Sequence, residues 1–279
     1  MGNNIRNFVV VTSYYFKNYY RSKSFYLMLI ISLLVSGLMT YFSLRYIDSL
    51  PQLFPRFNFS GLGNGTKEMI FGYLWAFVLL DLPVFAAVFF GSSAVSSEIE
   101  NKTAFHIFPL PIGRGNLLIS KYIAAVAVTA LTVMVYVVIQ AAVFVYLFHG
   151  LLIIAFFQSV GLLMIFIFSI MAFTFLISSI FNRNTYAYIT VFLIYFLIFN
   201  ASGIIIEFLY KSSPFYLLNI SAQIIDQVYI DISASPFSNS FSLAPAGMGE
   251  IIRSVAVMII YGVISISTAL IIFDRKEVK

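Results

Sequence analysis

Six long apolar runs, almost free of charge, restrict this fold more than any other feature of the sequence. They lie at about Ser24–Leu44, Met69–Ser97, Tyr122–Phe148, Leu151–Phe181, Tyr186–Ile206 and Ser254–Phe273. A helix rises about 1.5 Å per residue, so roughly twenty apolar residues cross ~30 Å of hydrocarbon, and every run is long enough. The third and fourth exceed that length, which implies tilt or a stretch beyond the bilayer. Only the His149–Gly150 turn separates them, and the second is interrupted by Asp81 and Pro83. Backbone amides in lipid must be paired within their own segment, which excludes an open sheet, and the ten-residue alternation of a barrel strand is missing. The expected fold is all-α: a polytopic integral membrane protein whose residues 1–279 form a single transmembrane domain.

Composition agrees. Only 10% of residues are charged, against about a quarter in soluble domains. The net charge of +5 comes from basic residues beside the spans rather than from a stripe with interleaved aromatics, so nucleic acid is not an expected partner. Cysteine is absent, and with it disulfides and thiolate metal sites; no metal site is expected. The first run follows a mixed N-terminal segment and is too long for a signal core, so it reads as a retained span.

Lys and Arg set the orientation. With the N-terminus inside, Arg6, Lys17, Arg21, Lys23, Lys102, Arg114, Lys121, Arg183, Arg275, Lys276 and Lys279 are cytoplasmic. Arg45, Arg56, Lys67, Lys211 and Arg253 are outside, and this asymmetry places both termini in the cytoplasm. Within residues 1–23, Ile5, Phe8, Val9, Thr12, Phe16 and Tyr19 recur at helical spacing, as in a helix lying in the membrane interface. Two outer loops are substantial, Arg45–Glu68 and Glu207–Arg253; in the second, Leu218, Ala222, Ile225 and Tyr229 line one face of a short helix resting on the outer surface. Asn58, Asn64 and Asn219 begin Asn-x-Ser/Thr triplets in these loops and are candidate glycosylation acceptors.

Polar information concentrates in the inner loop 97–121 between the second and third runs. Glu98, Glu100 and Lys102 form a charged helix end, Thr103 and the apolar stretch Phe105–Phe108 follow, and Pro109 and Pro111 break the chain before Gly113 and Arg114. Apolar side chains at such a tip need lipid or protein around them: a socket in a partner, or the chain's own bundle. The acidic pair either serves that contact or pairs with Arg114 to hold the loop's shape.

Asp81 is the one carboxylate well inside a run, and such a residue faces the bundle, water or a transport path. Gln140 and Asn200 are interhelical hydrogen-bond candidates and further path candidates. Gly61–Glu68 lacks the Gly-Lys-Ser/Thr ending of a phosphate loop, so ATP hydrolysis is not expected of this chain.

The order Glu98, Glu100, Thr103, Phe105–Phe108, Pro109 or Pro111, Arg114, then Lys121-Tyr122 opening a span, resembles the inner loop of type-2 ABC-transporter permeases. The interfacial leader, six spans, long outer segment before the last span and Ser213-Pro214-Phe215 extend the resemblance along the chain. It implies an exporter permease in the cell membrane that dimerises with an identical or related copy. It further implies a separate ABC ATPase, holding ATP and Mg, docked through Glu98, Glu100, Lys102, Thr103, Phe105, Phe108, Pro109 and Arg114. An ion-coupled carrier or channel would carry several buried ionisable groups. An intramembrane enzyme would need convergent catalytic groups, yet His106 and His149 fall at opposite ends of the spans.

Overall fold

The computed structural model describes residues 2–47, 63–102, 113–150, 152–211, 213–230 and 244–276. Among these the chain is helical, with six helices long and apolar enough to cross a membrane. The N-terminal helix α1 (Gly2–Tyr20) turns at Arg21-Ser22 into the first span, α2 (Lys23–Tyr46). Ser22 makes the turn: its hydroxyl donates to Tyr19 O and accepts from Phe25 N at 3.2 Å, capping α2. The second span is α3 (Asn64–Gly91), continued after a bent turn by α4 (Ser96–Glu100). α5 (Arg114–Phe148) and α6 (Ile154–Ile180) are the third and fourth spans. α5 ends where His149 adopts a left-handed conformation, φ 52°, as the turn before Gly150 requires.

The fifth span is composite: α7 (Asn184–Phe192), a π-helical segment Leu193–Phe199, and α8 (Asn200–Tyr210). Two short helices, α9 (Leu218–Ala222) and α10 (Ile224–Gln227), precede the sixth span, α11 (Met248–Arg275). α3–α4, α5 and α6 form the centre: 61%, 50% and 67% of their most apolar windows are buried. The corresponding fractions for the first, fifth and sixth spans are 22%, 17% and 22%, so these helices present apolar faces outward.

Lipid tails are as apolar as leucine, so close approach and interhelical hydrogen bonds hold such a bundle together. Trp75 Nε1 donates to Ser43 Oγ at 2.8 Å, Tyr136 OH to Trp75 O at 3.0 Å, and Ser32 Oγ to Thr132 O at 3.0 Å. Ser169 Oγ donates to Met258 O at 2.6 Å, tying α11 to α6. At Gly91 a Cβ would stand 2.0 Å from Thr174 Oγ1, so α3 and α6 meet this closely only because the residue is glycine.

Four sequence expectations change. The helix of the third span begins at Arg114, ahead of the apolar run that opens at Tyr122, and α5 is about 52 Å long by helical rise, well beyond the hydrocarbon layer. Residues 114–121 are therefore helix rather than loop. The helix of the second span likewise opens at Asn64, ahead of Met69; Glu68 belongs to that helix and accepts Ile153 N at 3.2 Å, capping α6. On α1, Val11, Tyr15, Phe16 and Tyr19 pack on the bundle, whereas Val9 is exposed. Finally, Leu218, Ala222, Ile225 and Tyr229 share a buried environment but do not rest on an outer surface. They insert into the bundle: Ser159 Oγ donates to Ile225 O at 2.7 Å, and the Tyr229 ring fills the space a Cβ of Gly72 would need.

Candidate functional site

α4 and the start of α5 flank the segment between the second and third spans, and the charges of these flanks are cross-connected. α4 carries Glu98, and the second turn of α5 carries Lys121. The Lys121 ammonium pairs with Glu98 Oε2 and donates to Ala94 O at 3.0 Å. Tyr15 OH on α1 donates to Glu98 Oε1 at 3.3 Å, and the ammonium lies 4.9 Å from the Tyr15 ring centroid. Lys121 is 1% exposed and Glu98 12%, so water provides little of their solvation. A buried pair is tolerable only where such extra hydrogen bonds complete it. Burial raises the Tyr15 phenol's pKa first and the Glu98 carboxylate adds to it, so Tyr15 stays a protonated donor. Tyr19 is raised for the same two reasons in the same order. A half-open cavity of about 490 Å³ lies over the pair, lined by Tyr14, Asn18, Ser93 and Asn101 among others.

Glu100 faces another way. Its Oε2 accepts Asn184 N at 2.8 Å, placing a carboxylate on the N-terminus of α7, where the helix dipole favours negative charge. Beside it, Ser178 Oγ of α6 accepts Val95 N and Ser96 N at 3.0 and 3.1 Å, satisfying amides freed by the bend between α3 and α4. At the start of α5, Arg114 Nη1 donates to Asp274 O at 2.8 Å and Lys276 O at 3.4 Å, the last carbonyls of α11. Lys276 Nζ donates to Ser179 O at 2.7 Å and Phe181 O at 3.1 Å, the C-terminal end of α6. Burial lowers the Lys276 pKa.

Of the residues expected to form the docking loop, Glu98, Glu100 and Arg114 thus bind the protein's own helices. Lys102 is exposed, with φ 57°, where the chain leaves α4. Thr103, Phe105, Phe108 and Pro109 lie outside the described residues. The sequence left two members of the network unnoticed, Tyr15 and Lys276. For Lys121, a lone cation at the head of an apolar run was the signal that a buried partner existed.

The path candidates occupy three different environments. Asp81 is half-buried on α3, near Tyr195 of the π segment. Gln140 is buried, and its side chain hydrogen-bonds Tyr229. Asn200 is on an exposed face of the fifth span; its Nδ2 donates to Phe196 O and its Oδ1 accepts Asn219 Nδ2, both at 3.0 Å. Among the glycosylation candidates, Asn64 is exposed at the first position of α3, Asn219 is buried with its amide nitrogen engaged, and Asn58 lies outside the described residues.

Six helices apolar and long enough to cross a membrane, with a leader helix tied to their charged end, define an all-α polytopic membrane protein. Residues 15–278 match the model of the ABC-2 family transporter protein, and the chain belongs to that family. No curated protein is matched by the sequence.

Proposed function

We propose that this chain is the membrane-spanning subunit of an ATP-driven exporter and docks a separate ATPase through Lys102 and the loop 103–112, with the flanks on either side holding that loop to the helices. The observation that carries the reading is the anchoring of both flanks: Glu98 and Glu100 before the loop, and Arg114 and Lys121 after it, grip α1, α5, α7 and α11. A push on a loop so mounted moves helix ends rather than bending a tether. Phe105 and Phe108 supply the apolar anchors for the ATPase, and Lys102 is the exposed cation beside them. A second permease copy covers part of the outward apolar faces of the first and fifth spans, with Asp81 and Asn200 as the polar groups nearest the path. Both termini face the cytoplasm, as the Lys/Arg asymmetry requires.

Phe105→Ala/Phe108→Ala tests the docking. Losing a buried aromatic anchor costs about 2 kcal/mol or more, roughly a thirty-fold weakening. The double variant should stay monodisperse in detergent and lose its ATPase on affinity purification. Retention of the ATPase at wild-type affinity by a folded double variant overturns the reading.

A further inference from the structure

The C-terminal end of the chain holds an arrangement that a six-span bundle does not need in order to cross a membrane. A helix ends with four carbonyls lacking intrahelical partners, and in water these are solvated at little cost. Here two helix ends are instead gripped by cations from elsewhere in the chain. Arg114, the first residue of α5, binds the carbonyls of Asp274 and Lys276 at the end of α11. Lys276, just past α11, binds the carbonyls of Ser179 and Phe181 at the end of α6. The two links share Lys276: its carbonyl receives Arg114 and its ammonium reaches α6. The start of α5, the end of α11 and the end of α6 are therefore joined in series.

The first link starts one residue after Gly113, where the inner loop returns to the bundle. At this end of α11, cations are also favoured by the dipoles of the helices they cap. Farther along the same pair of helices, Gly262 packs on Phe168 and Ser169, and Ser169 Oγ binds Met258 O, so α11 and α6 are already in register. Displacement at their capped ends is then carried along both as rigid bodies.

We propose that Arg114 and Lys276 form a positioning clamp that passes movement of the inner loop to the fourth and sixth spans. This rests on the proposed docking of the ATPase at that loop. Lys276 touches neither ATP nor cargo on this reading; it acts by holding helix ends.

The test uses the permease–ATPase complex in proteoliposomes. Cysteines introduced for Lys67 and Gly249, at the far ends of α3 and α11, carry spin labels in this cysteine-free chain. The distance between them is measured without nucleotide and with ATP plus vanadate. Expected results are a nucleotide-dependent change in the parent, its loss in Lys276→Gln with the ATPase still bound at parental stoichiometry, and its recovery in Lys276→Arg. A Lys276→Gln complex that keeps the full distance change overturns the clamp. So does a parent complex without any change, or a Lys276→Gln chain that releases the ATPase, since the clamp stands behind the docking surface. Failure of the docking reading is seen separately, when Phe105→Ala/Phe108→Ala retains the ATPase.

Discussion

Removing one partner of the Glu98–Lys121 pair should destabilise the protein far more than removing both. Glu98→Gln leaves the Lys121 ammonium 1% exposed, with the Ala94 carbonyl at 3.0 Å as its remaining anchor and the Tyr15 ring 4.9 Å away. Breaking a buried pair in this way costs about 3–5 kcal/mol, or two to three and a half decades in the folding equilibrium. Lys121→Met should cost less, because Glu98 is 12% exposed beside a cavity of about 490 Å³ and keeps the Tyr15 hydrogen bond. Glu98→Gln/Lys121→Met should recover most of the loss, since apolar replacement of both charges is often neutral or stabilising. The assay is the temperature at which the monodisperse detergent peak is lost, read for the parent, both single variants, the double variant and Lys17→Gln as an exposed-cation control. Coupled neighbours give interaction energies of about 0.5–3 kcal/mol in such a cycle. Strict additivity, or a Glu98→Gln variant no less stable than the control, refutes the argument that this pair is buried and mutually dependent.

Gly91→Ala should cost about 1–3 kcal/mol by overpacking, because its Cβ would stand 2.0 Å from Thr174 Oγ1; Gly37→Ala, with open space around it, should leave thermal stability unchanged or slightly raised. Glu68→Ala removes the carboxylate that caps α6 at Ile153 N and should lower stability by about 1 kcal/mol in the same assay. In intact cells an impermeant thiol reagent should label Ser60→Cys and Ser238→Cys but reach Lys17→Cys only after permeabilisation; the reverse pattern refutes the orientation.

The spans were legible because twenty-residue apolar runs have a single solution in lipid, and the turn at His149–Gly150 because nothing else separates two such runs. What hydropathy could not provide was which face of a helix finds a partner. On α1 the periodicity includes Phe16 and Tyr19, which pack on the bundle, but also Val9, which is exposed, and omits Tyr15, whose phenol is held by a carboxylate far along the chain. Residues 114–121 read as loop because Arg114, Asn116 and Lys121 break the apolar run, although such residues are normal in a helix that continues beyond the bilayer. The apolar face of α9 and α10 was visible, but the gap that admits it depends on Gly72 in a different span. The π segment at Leu193–Phe199 has no compositional mark at all.

The reassignment of the loop's charges alters what substitutions there report. Glu98, Glu100 and Arg114 are committed to Lys121 and Tyr15, to the α7 N-terminus, and to the α11 C-terminus. Their removal changes where helices start and end before it changes anything a partner touches. Lys102 is exposed, and Phe105 and Phe108 are the aromatic residues of the loop's apolar stretch, so on the proposed docking these three carry the contact itself. Charge substitutions in the flanks should then leave the ATPase bound but uncouple its cycle from the spans, whereas aromatic substitutions at the tip should release it. A flank variant such as Glu100→Ala illustrates the division: it uncaps α7 at a cost of about 1 kcal/mol, enough to loosen the fifth span's entry without opening the docking surface. On the proposed docking, affinity and coupling fall to separate residues of this segment, and the two effects can be measured on the same purified complex.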